Sequence, residues 1–162
     1  MTETNEELVE RARAWADQDP DPQTKAELET LLEQATSGDV VAIAELADRF
    51  AGTLEFGTAG LRGALGAGPN RMNRMVVLRA AAGLAAYLRA NGAGPDDSVV
   101  IGYDARHNSD VFARDTAEVV TGAGMQAFTL PRPLPTPLLA YAIRDIGCVA
   151  GVMVTASHNP PQ

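Results

Sequence analysis

A serine and a histidine stand side by side near the end of this chain, where residues 155–160 read Thr-Ala-Ser-His-Asn-Pro. Ser157 could act as a nucleophile if a base or a metal activates it. Adjacent residues on an extended segment point in opposite directions, so His158 is poorly placed to deprotonate Ser157 as in a serine hydrolase. A phosphoserine segment, with His158 turned toward a substrate, fits the pattern better. A simple turn around Asn159 and Pro160 is an equal alternative.

A second candidate is the glycine-rich segment at residues 57–63, which reads Gly-Thr-Ala-Gly-Leu-Arg-Gly. Glycines let backbone amides approach an oxyanion, and the guanidinium of Arg62 is suited to the oxygens of a phosphate. Thr58 and Gly60 belong to the same predicted phosphate-binding set. The segment matches neither a Walker loop nor a dinucleotide-binding fingerprint. A tight structural turn would explain the same residues.

A third candidate follows a predicted strand, at Asp104-Ala105-Arg106. Arg106 could contact a phosphate, but a structural ion pair with Asp104 is an equal alternative. Residues 68–73 approach a predicted helix, and their amides could face an anion or form a solvated cap. An acidic chain that keeps arginines near glycine-rich loops suggests a small anionic ligand, phosphate first. The arginines in question are Arg62, Arg71, Arg74, Arg79 and Arg106.

Composition limits the possible partners. The net charge of −8 argues against sequence-independent binding to nucleic acid or to an anionic membrane. The single cysteine, Cys148, excludes an internal disulfide, and its apolar surroundings predict core packing. The acidic N-terminus does not resemble a signal peptide, and no segment is apolar enough to span a membrane. We therefore expect a soluble, cytoplasmic protein.

The order of predicted elements indicates an α/β fold. Residues 1–50 read as three helices, separated by Asp-Pro-Asp-Pro and Ser-Gly, and form a helical N-terminal extension. Residues 51–162 alternate strands with helices, which predicts a three-layer α/β/α domain with a mixed, largely parallel sheet. Ser109 is the expected N-cap of one of these helices. The main predicted elements of this region are a helix over 73–90, strands over 98–103, 125–130 and 148–154, and helices over 109–121 and 136–146.

The last predicted strand, residues 148–154, is apolar at every position. That pattern is typical of a strand buried on both faces, so we expect it to be central in the sheet. Ligands of such folds bind outside the carboxyl ends of the strands. If the strands are parallel, Arg106 and Ser157 therefore follow strands that end at the same edge.

These motifs together resemble the N-terminal part of the α-D-phosphohexomutase superfamily, which includes phosphoglucomutases and phosphomannomutases. The phosphoserine segment at 155–160, the glycine segment at 57–63 and the Gly-Tyr-Asp-Ala-Arg run at 102–106 occur in the family's order. They cover the chain from about Leu54 to Pro160. The residues ahead of Leu54, with Trp15, resemble the branch that contains phosphopentomutases and glucose-1,6-bisphosphate synthases.

The resemblance implies an intramolecular phosphotransferase that interconverts sugar 1-phosphate and 6-phosphate. Ser157 would carry the phosphoryl group and, through it, ligate Mg²⁺, and glucose 1,6-bisphosphate would be the activator. His158 would contact the reacting groups. Arg62 would hold a phosphate, while Asn159 would fix the segment and Arg106 would support it. The substrate is then a sugar phosphate of carbohydrate metabolism.

The chain lacks several of the family's later motifs, among them a lysine after the phosphoserine, the Asp-x-Asp-x-Asp metal loop and the sugar-binding loop. We expect an incomplete first domain of a longer protein, which needs the rest of its polypeptide for activity and is inactive alone. The alternatives are a non-catalytic phosphate-binding module and a phosphopentomutase. A serine hydrolase is the least favoured, for the geometric reason given above.

Overall fold

The computed structural model describes residues 4–155, which divide into two compact units between Val76 and Val77. The phosphoserine segment beyond Thr155 lies outside the described residues. No helix in the described part of the chain has the length and apolarity needed to cross a bilayer. Each unit is built on its own core.

The N-terminal unit contains the three predicted helices, α1 (Asn5–Gln18), α2 (Pro22–Thr36) and α3 (Val40–Arg49). Each begins at a capping side chain that accepts a hydrogen bond from a backbone amide of the first turn: Thr4, Asp21 and Asp39. Thr4 and Glu7 form a reciprocal capping box. The predicted helical extension is confirmed, with Asp39 as the cap of its third helix.

The apolar faces of these helices meet in one core. The rings of Trp15 and Phe50 pack edge to face at 6.2 Å between centroids. Leu54, ahead of the glycine-rich segment, and Leu61, within it, pack against the same core. The fully or nearly buried members include Leu8, Ala12, Leu28, Leu32, Leu46 and Met75.

Two short strands complete this unit, β1 (Phe56–Gly57) and β2 (Gly60–Leu61). They pair antiparallel, with Phe56 opposite Leu61 and Gly57 opposite Gly60. Residues 62–73 follow and lead into the long helix α4 (Arg74–Ala90), and the division between the two units falls inside this helix.

The C-terminal unit is a three-layer α/β/α arrangement. Its strands are β3 (Ser98–Tyr103), β4 (Gln126–Thr129) and β5 (Ala150–Val154), all parallel, in the order β4-β3-β5. Val99 and Ile101 face a core shared with α5 (Ser109–Gly122) and the second half of α4. Val100 faces the opposite side, toward Leu139 of α6 (Thr136–Ile146). The predicted α/β class is confirmed.

Among residues 4–155, the last strand lies at the edge of the sheet and not in the predicted central position. β3 is the middle strand, with residues 98–102 buried, whereas β5 is half-buried at every position and pairs only with β3 among residues 4–155. β5 is apolar at every position because helices cover both of its faces, which an edge strand can share with a central one. Ala150 and Val152 contact the α4/α5 side, while Gly151 lies so close to Ile143 of α6 that a Cβ there would approach it to 2.5 Å.

The predicted N-cap of α5 is also wrong by one residue. Asn108 occupies the cap position with a left-handed backbone, φ +63°, and makes no side-chain cap bond. Ser109 is the first helical residue, and its hydroxyl donates instead to Asp104 Oδ1 at 2.7 Å. The hydroxyl is therefore used in the loop that precedes the helix rather than in capping it.

Candidate functional site

The carboxyl edge of the parallel sheet brings two predicted motifs together. In the register of β3 with β5, Tyr103 lies opposite Val154, so Asp104 and Thr155 leave the sheet side by side. The amide of Asp104 donates to the carbonyl of Val154 at 3.0 Å, which extends the ladder by one bond. The expectation that the loop after β3 and the segment after the last strand start at one edge is confirmed by this register.

The carboxylate of Asp104 organises this edge. Its Oδ1 accepts from the Ser109 hydroxyl at 2.7 Å and from the Arg106 amide at 3.1 Å. Its Oδ2 accepts from the Thr155 hydroxyl at 3.0 Å. Asp104 and Thr155 lie in predicted motifs, at 104–106 and 155–160, but neither side chain was predicted to act in the site. The sequence did hold one signal for this contact, because each residue directly follows a predicted strand of the same parallel sheet.

Arg106 makes the ion pair that the sequence offered as an alternative to phosphate binding. Its Nε lies 3.6 Å from Asp104 Oδ2, and its side chain is 49% exposed. An exposed pair at this distance contributes little to stability. It keeps the guanidinium next to the start of the phosphoserine segment, and contact of Arg106 with a phosphate stays a prediction.

The predicted catalytic residues follow this edge in sequence. Ser157, His158 and Asn159 lie outside the described residues. Thr155 is the last described residue and precedes Ser157 by two positions in the sequence, so the catalytic role of Ser157 stays a prediction.

The glycine-rich segment forms an exposed hairpin. Thr58 and Ala59 lie at its turn, both exposed, and Gly60 adopts φ +88°, a conformation that a side chain would disfavour. Arg62 is exposed and donates from Nε to the Ala59 carbonyl at 3.3 Å. The hairpin accounts for the turn interpretation, and phosphate binding by Thr58, Gly60 and Arg62 stays a prediction.

Gly63 ends the hairpin for a packing reason. A Cβ at this position would lie 2.7 Å from a methyl carbon of Leu54, which itself packs on the helical core. The backbone after Arg62 therefore runs directly against Leu54, and this close approach orients the arginine relative to the helical unit.

Most amides of residues 66–73 donate to groups inside the protein. Those of Gly66, Asn70 and Met72 donate to backbone carbonyls of the same unit, and the Ala67 amide donates to Glu27 Oε2 at 3.2 Å. Within the predicted segment, residues 68–73, the amides of Asn70 and Met72 are therefore already used, which does not support the anion interpretation that the sequence offered beside a cap.

Two arginines hold this segment against the helices. Arg49 donates to Glu27 Oε1 at 2.6 Å and to Glu45 Oε1 at 2.8 Å. Arg71 lies 2.5 Å from Asp48 Oδ2 and 3.4 Å from Glu45 Oε1. Arg71 is thus neutralised by carboxylates of α3, so it does not support the anionic-ligand interpretation. The sequence signal for this network was weak: Glu45 and Arg49 are four residues apart on one helix.

The same network shifts one acid. The hydrogen bond from Arg49 holds the pKa of Glu45 below its ordinary value of 4.5, and the charge of Arg71 acts in the same direction. Glu45 stays ionised under mildly acidic conditions. It is the acidic partner that Arg49 and Arg71 share.

The described residues do not fit a magnesium site. No group of three or more His, Cys, Asp or Glu side chains in that part of the chain could surround a metal ion. The Asp104 carboxylate, which is nearest to the phosphoserine segment, accepts from two hydroxyls and one amide. Mg²⁺ prefers several oxygen ligands in octahedral geometry, and one carboxylate used in this way does not supply them.

Comparison with known families decides the assignment. The family profile described as phosphoglucomutase/phosphomannomutase, alpha/beta/alpha domain I, matches residues 53–162, which is more than half of the chain. The chain belongs to this phosphohexomutase family. The matched range begins just before the hairpin and includes both the Asp104 loop and the phosphoserine segment.

Individual relatives of this phosphohexomutase chain carry three names. It is 64% identical over 91 residues to a Haemophilus influenzae protein named as a probable phosphomannomutase, covering 56% of this chain and 18% of that protein. It is 44% identical over 107 residues to the phosphoglucomutase of Staphylococcus haemolyticus, covering 66% and 19%. It is 38% identical over 158 residues to the phosphoribomutase of Saccharomyces cerevisiae, covering 95% and 24%.

A solved structure supports the fold of this phosphohexomutase domain. The crystal structure of a Thermus thermophilus protein assigned as a phosphomannomutase matches with a TM-score of 0.61 and 37% identity, covering 68% of this chain and 24% of that one. The chain therefore spans about a quarter or less of each of these relatives.

Proposed function

We propose that the protein to which this chain belongs is a phosphosugar mutase that moves a phosphoryl group within its substrate by way of Ser157. The observation that carries the proposal is the meeting of the Asp104 loop with Thr155 at the carboxyl edge of the sheet. Family membership supports a mutase-type reaction, and the position of Thr155 supports a site at this edge.

The proposed reaction has two transfers. In the first, a hydroxyl oxygen of a sugar monophosphate bonds to the phosphorus and loses its proton to a base, while the bond between phosphorus and Ser157 Oγ breaks and Oγ takes up a proton. In the second, the sugar turns and Ser157 Oγ loses its proton and bonds to the phosphorus of the other phosphoryl group, while the released ester oxygen of the sugar takes up a proton. Such transfers depend on in-line positioning and on neutralisation of phosphate charge more than on covalent chemistry by the protein.

The residues of this chain divide these tasks. Ser157 carries the phosphoryl group, and His158 contacts the reacting groups beside it. Asn159 fixes the segment. Arg62, with the exposed residues Thr58 and Gly60 of the hairpin, holds the phosphate that is not being transferred. Arg106 adds positive charge near the start of the segment. The base and the remaining phosphate-binding groups come from the rest of the polypeptide.

Magnesium is part of the proposal only through the seryl phosphate. The described residues do not fit a magnesium site, so any carboxylates that complete one come from elsewhere in the protein, and we derive no step through the ion. Glucose 1,6-bisphosphate is proposed as the activator because its transfer of one phosphoryl group would load Ser157 and leave a sugar monophosphate. For the same reasons we expect the 162-residue chain to be inactive alone.

The share of this chain that each relative covers supports a second candidate substrate. The phosphoribomutase of Saccharomyces cerevisiae covers 95% of this chain, including the helices α1–α3, whereas the staphylococcal phosphoglucomutase covers 66%. This favours the branch whose members include pentose-phosphate mutases. The second candidate, a phosphopentomutase, therefore stands beside a hexose-phosphate mutase.

The test is a phosphorylation experiment on the complete polypeptide. Intact-mass and phosphopeptide spectra are taken before and after incubation with glucose 1,6-bisphosphate, for the wild type and for Ser157→Ala. We expect one phosphoryl group on Ser157 in the wild type and none in the variant. An unmodified Ser157 in the wild type would contradict the mutase proposal and favour the alternative, a non-catalytic phosphate-binding module. Comparing kcat/KM for glucose 1-phosphate and ribose 1-phosphate then separates the two substrate classes.

A further inference from the structure

We infer that Asp104 is a positioning residue for phosphoryl transfer, which acts by holding the hydroxyl of Thr155 at the root of the phosphoserine segment. The inference rests on the proposed function. It adds two residues, Asp104 and Thr155, to the site and assigns the loop after β3 to the placement of Ser157.

The first support is the way the carboxylate is fixed. Oδ1 accepts from the hydroxyl of Ser109, which is 5% exposed at the start of α5, and from the amide of Arg106. Oδ2 accepts from Thr155. One oxygen is thus tied to the helix and the loop, while the other reaches across to the neighbouring segment.

The second support is the backbone around this bond. The Asp104 amide donates to Val154 at 3.0 Å, so the two segments are held by a main-chain bond and a side-chain bond at adjacent positions. The loop itself turns sharply at Asn108, whose φ of +63° lets α5 begin directly after it. The main-chain bond limits the separation of the segments, and the side-chain bond limits the rotation of Thr155.

The carboxylate of Asp104 accepts from two hydroxyls and an amide, with Arg106 Nε 3.6 Å away, so both of its oxygens are held in place. Its contribution is therefore geometric. Ser157 lies two residues beyond Thr155, so a change in the direction of Thr155 is carried to the seryl oxygen. A displacement of about 1 Å in a reacting group can lower a rate by roughly a hundredfold.

The principal test is a threonine series in the complete polypeptide. Thr155→Val keeps the shape of the side chain and removes the hydroxyl, while Thr155→Ser keeps the hydroxyl. Thr129→Val makes the same change at the exposed carboxyl end of β4 and serves as the matched control. The measurements are the single-turnover rate of Ser157 phosphorylation by glucose 1,6-bisphosphate, kcat and KM for the sugar phosphate, and the melting temperature.

We expect Thr155→Val to slow phosphorylation of Ser157 and lower kcat by about tenfold or more, with KM changed by less than about twofold. Thr155→Ser should recover most of the rate, and Thr129→Val should match the wild type. Equal rates in Thr155→Val and the wild type would overturn the inference, as would a loss that Thr155→Ser does not recover. No phosphate on wild-type Ser157 would overturn the proposed function and this inference together, which distinguishes the two failures.

A second variant covers the case in which Thr155→Val does not fold. Asp104→Asn keeps an oxygen for Ser109 and Arg106 but replaces the acceptor for the Thr155 hydroxyl with an amide nitrogen. We expect the same loss in kcat, with KM nearly unchanged. Wild-type kcat in Asp104→Asn would overturn the role of the carboxylate.

Discussion

Two glycine-containing segments of the N-terminal unit follow one another in sequence and differ in almost every physical respect. The hairpin of β1 and β2 is exposed from Phe56 to Gly60, and the Arg62 side chain bonds only weakly to Ala59. Residues 66–73 include buried positions, and the amides of Ala67 and Asn70 and the side chain of Arg71 are bonded to the helices. Glycine and arginine in the same stretch can therefore form either an open loop, as in the hairpin, or a segment fixed against the helices. We call residues 66–73 the brace.

The difference lies in where the opposite charges are. Arg71 of the brace lies beside Glu45 and Asp48, and Arg49 of α3, which contacts the brace, lies beside Glu27 and Glu45; all three acids come from the helices. Such pairs satisfy the arginines within the protein, so these residues set structure. The exposed hairpin is left as the segment of this unit suited to an anionic ligand. The comparison predicts that variants in the brace change stability, while variants in the hairpin change substrate binding.

The largest expected effect is at Asn73. This side chain is 2% exposed, donates to the carbonyls of Gly66 and Gly68 at 2.8 Å each, and accepts from the amide of Val76 at 3.0 Å. Asn73→Ala would leave these buried groups unpaired and remove the cap of α4, at a cost of about 3 kcal/mol in the free energy of unfolding. Urea denaturation measures it. Asn70→Ala, which removes one exposed bond to Asp48, is the control and should cost about 1 kcal/mol or less.

Arg49 is expected to come next. Its side chain is 14% exposed and bridges α2, α3 and the carbonyl of Ala67. Arg49→Ala should lower the free energy of unfolding by about 2 kcal/mol, since Glu27 and the Ala67 carbonyl lose their shared donor. The same urea titration applies. A loss below about 0.5 kcal/mol would mean that the brace is not a stabilising feature.

Acid should weaken the brace through Glu45. Its pKa is lowered in the folded state by the hydrogen bond from Arg49, so its contribution to stability is present above its ordinary pKa of 4.5. That contribution is lost as the pH falls through the lower, folded-state pKa. We expect stability to decline below about pH 4.5, and Glu45→Gln to decline less steeply over that window. The measurement is the free energy of unfolding as a function of pH for the wild type and for Glu45→Gln. Equal slopes for the two proteins below about pH 4.5 would contradict this prediction.

Arg62→Ala gives the smallest expected change in stability, within about 0.5 kcal/mol, because the side chain is exposed. If the hairpin holds a phosphate as proposed, KM for the sugar phosphate should rise by about tenfold or more in the complete polypeptide. Arg49→Ala is the matched variant, with the opposite profile. An unfolding cost for Arg62→Ala equal to that of Arg49→Ala would remove the distinction between the two segments.

The sequence predicted the elements well where a local rule decides them. The third helix of the predicted extension begins where Asp39 accepts from the amides two and three residues ahead, which is a preference of its residue type. Ser98–Tyr103 was predicted with its observed bounds because an apolar run there is bounded by polar residues. The helix over 136–146 was predicted with its observed bounds because proline is favoured in the first turn of a helix.

The failures arose where distant parts of the chain meet. The apolar sequence of β5 indicates that helices cover its two faces, but it does not indicate which strands lie beside it. Arg71 looked available for an anion because its partner Asp48 lies on α3, far away in sequence. The role of Asp104 was hidden for the same reason, since its acceptor bond to Thr155 depends on the register between β3 and β5.

Cys148 offers a further use of the edge that this register creates. The thiol is 8% exposed just ahead of β5, accepts from the Ser98 hydroxyl at 3.3 Å, and is the single cysteine of the sequence. A thiol-reactive chromogenic reagent can reach it only when the junction between α6 and β5 opens. The rate of labelling therefore follows the local opening of the strand that leads to Ser157, with no engineered probe.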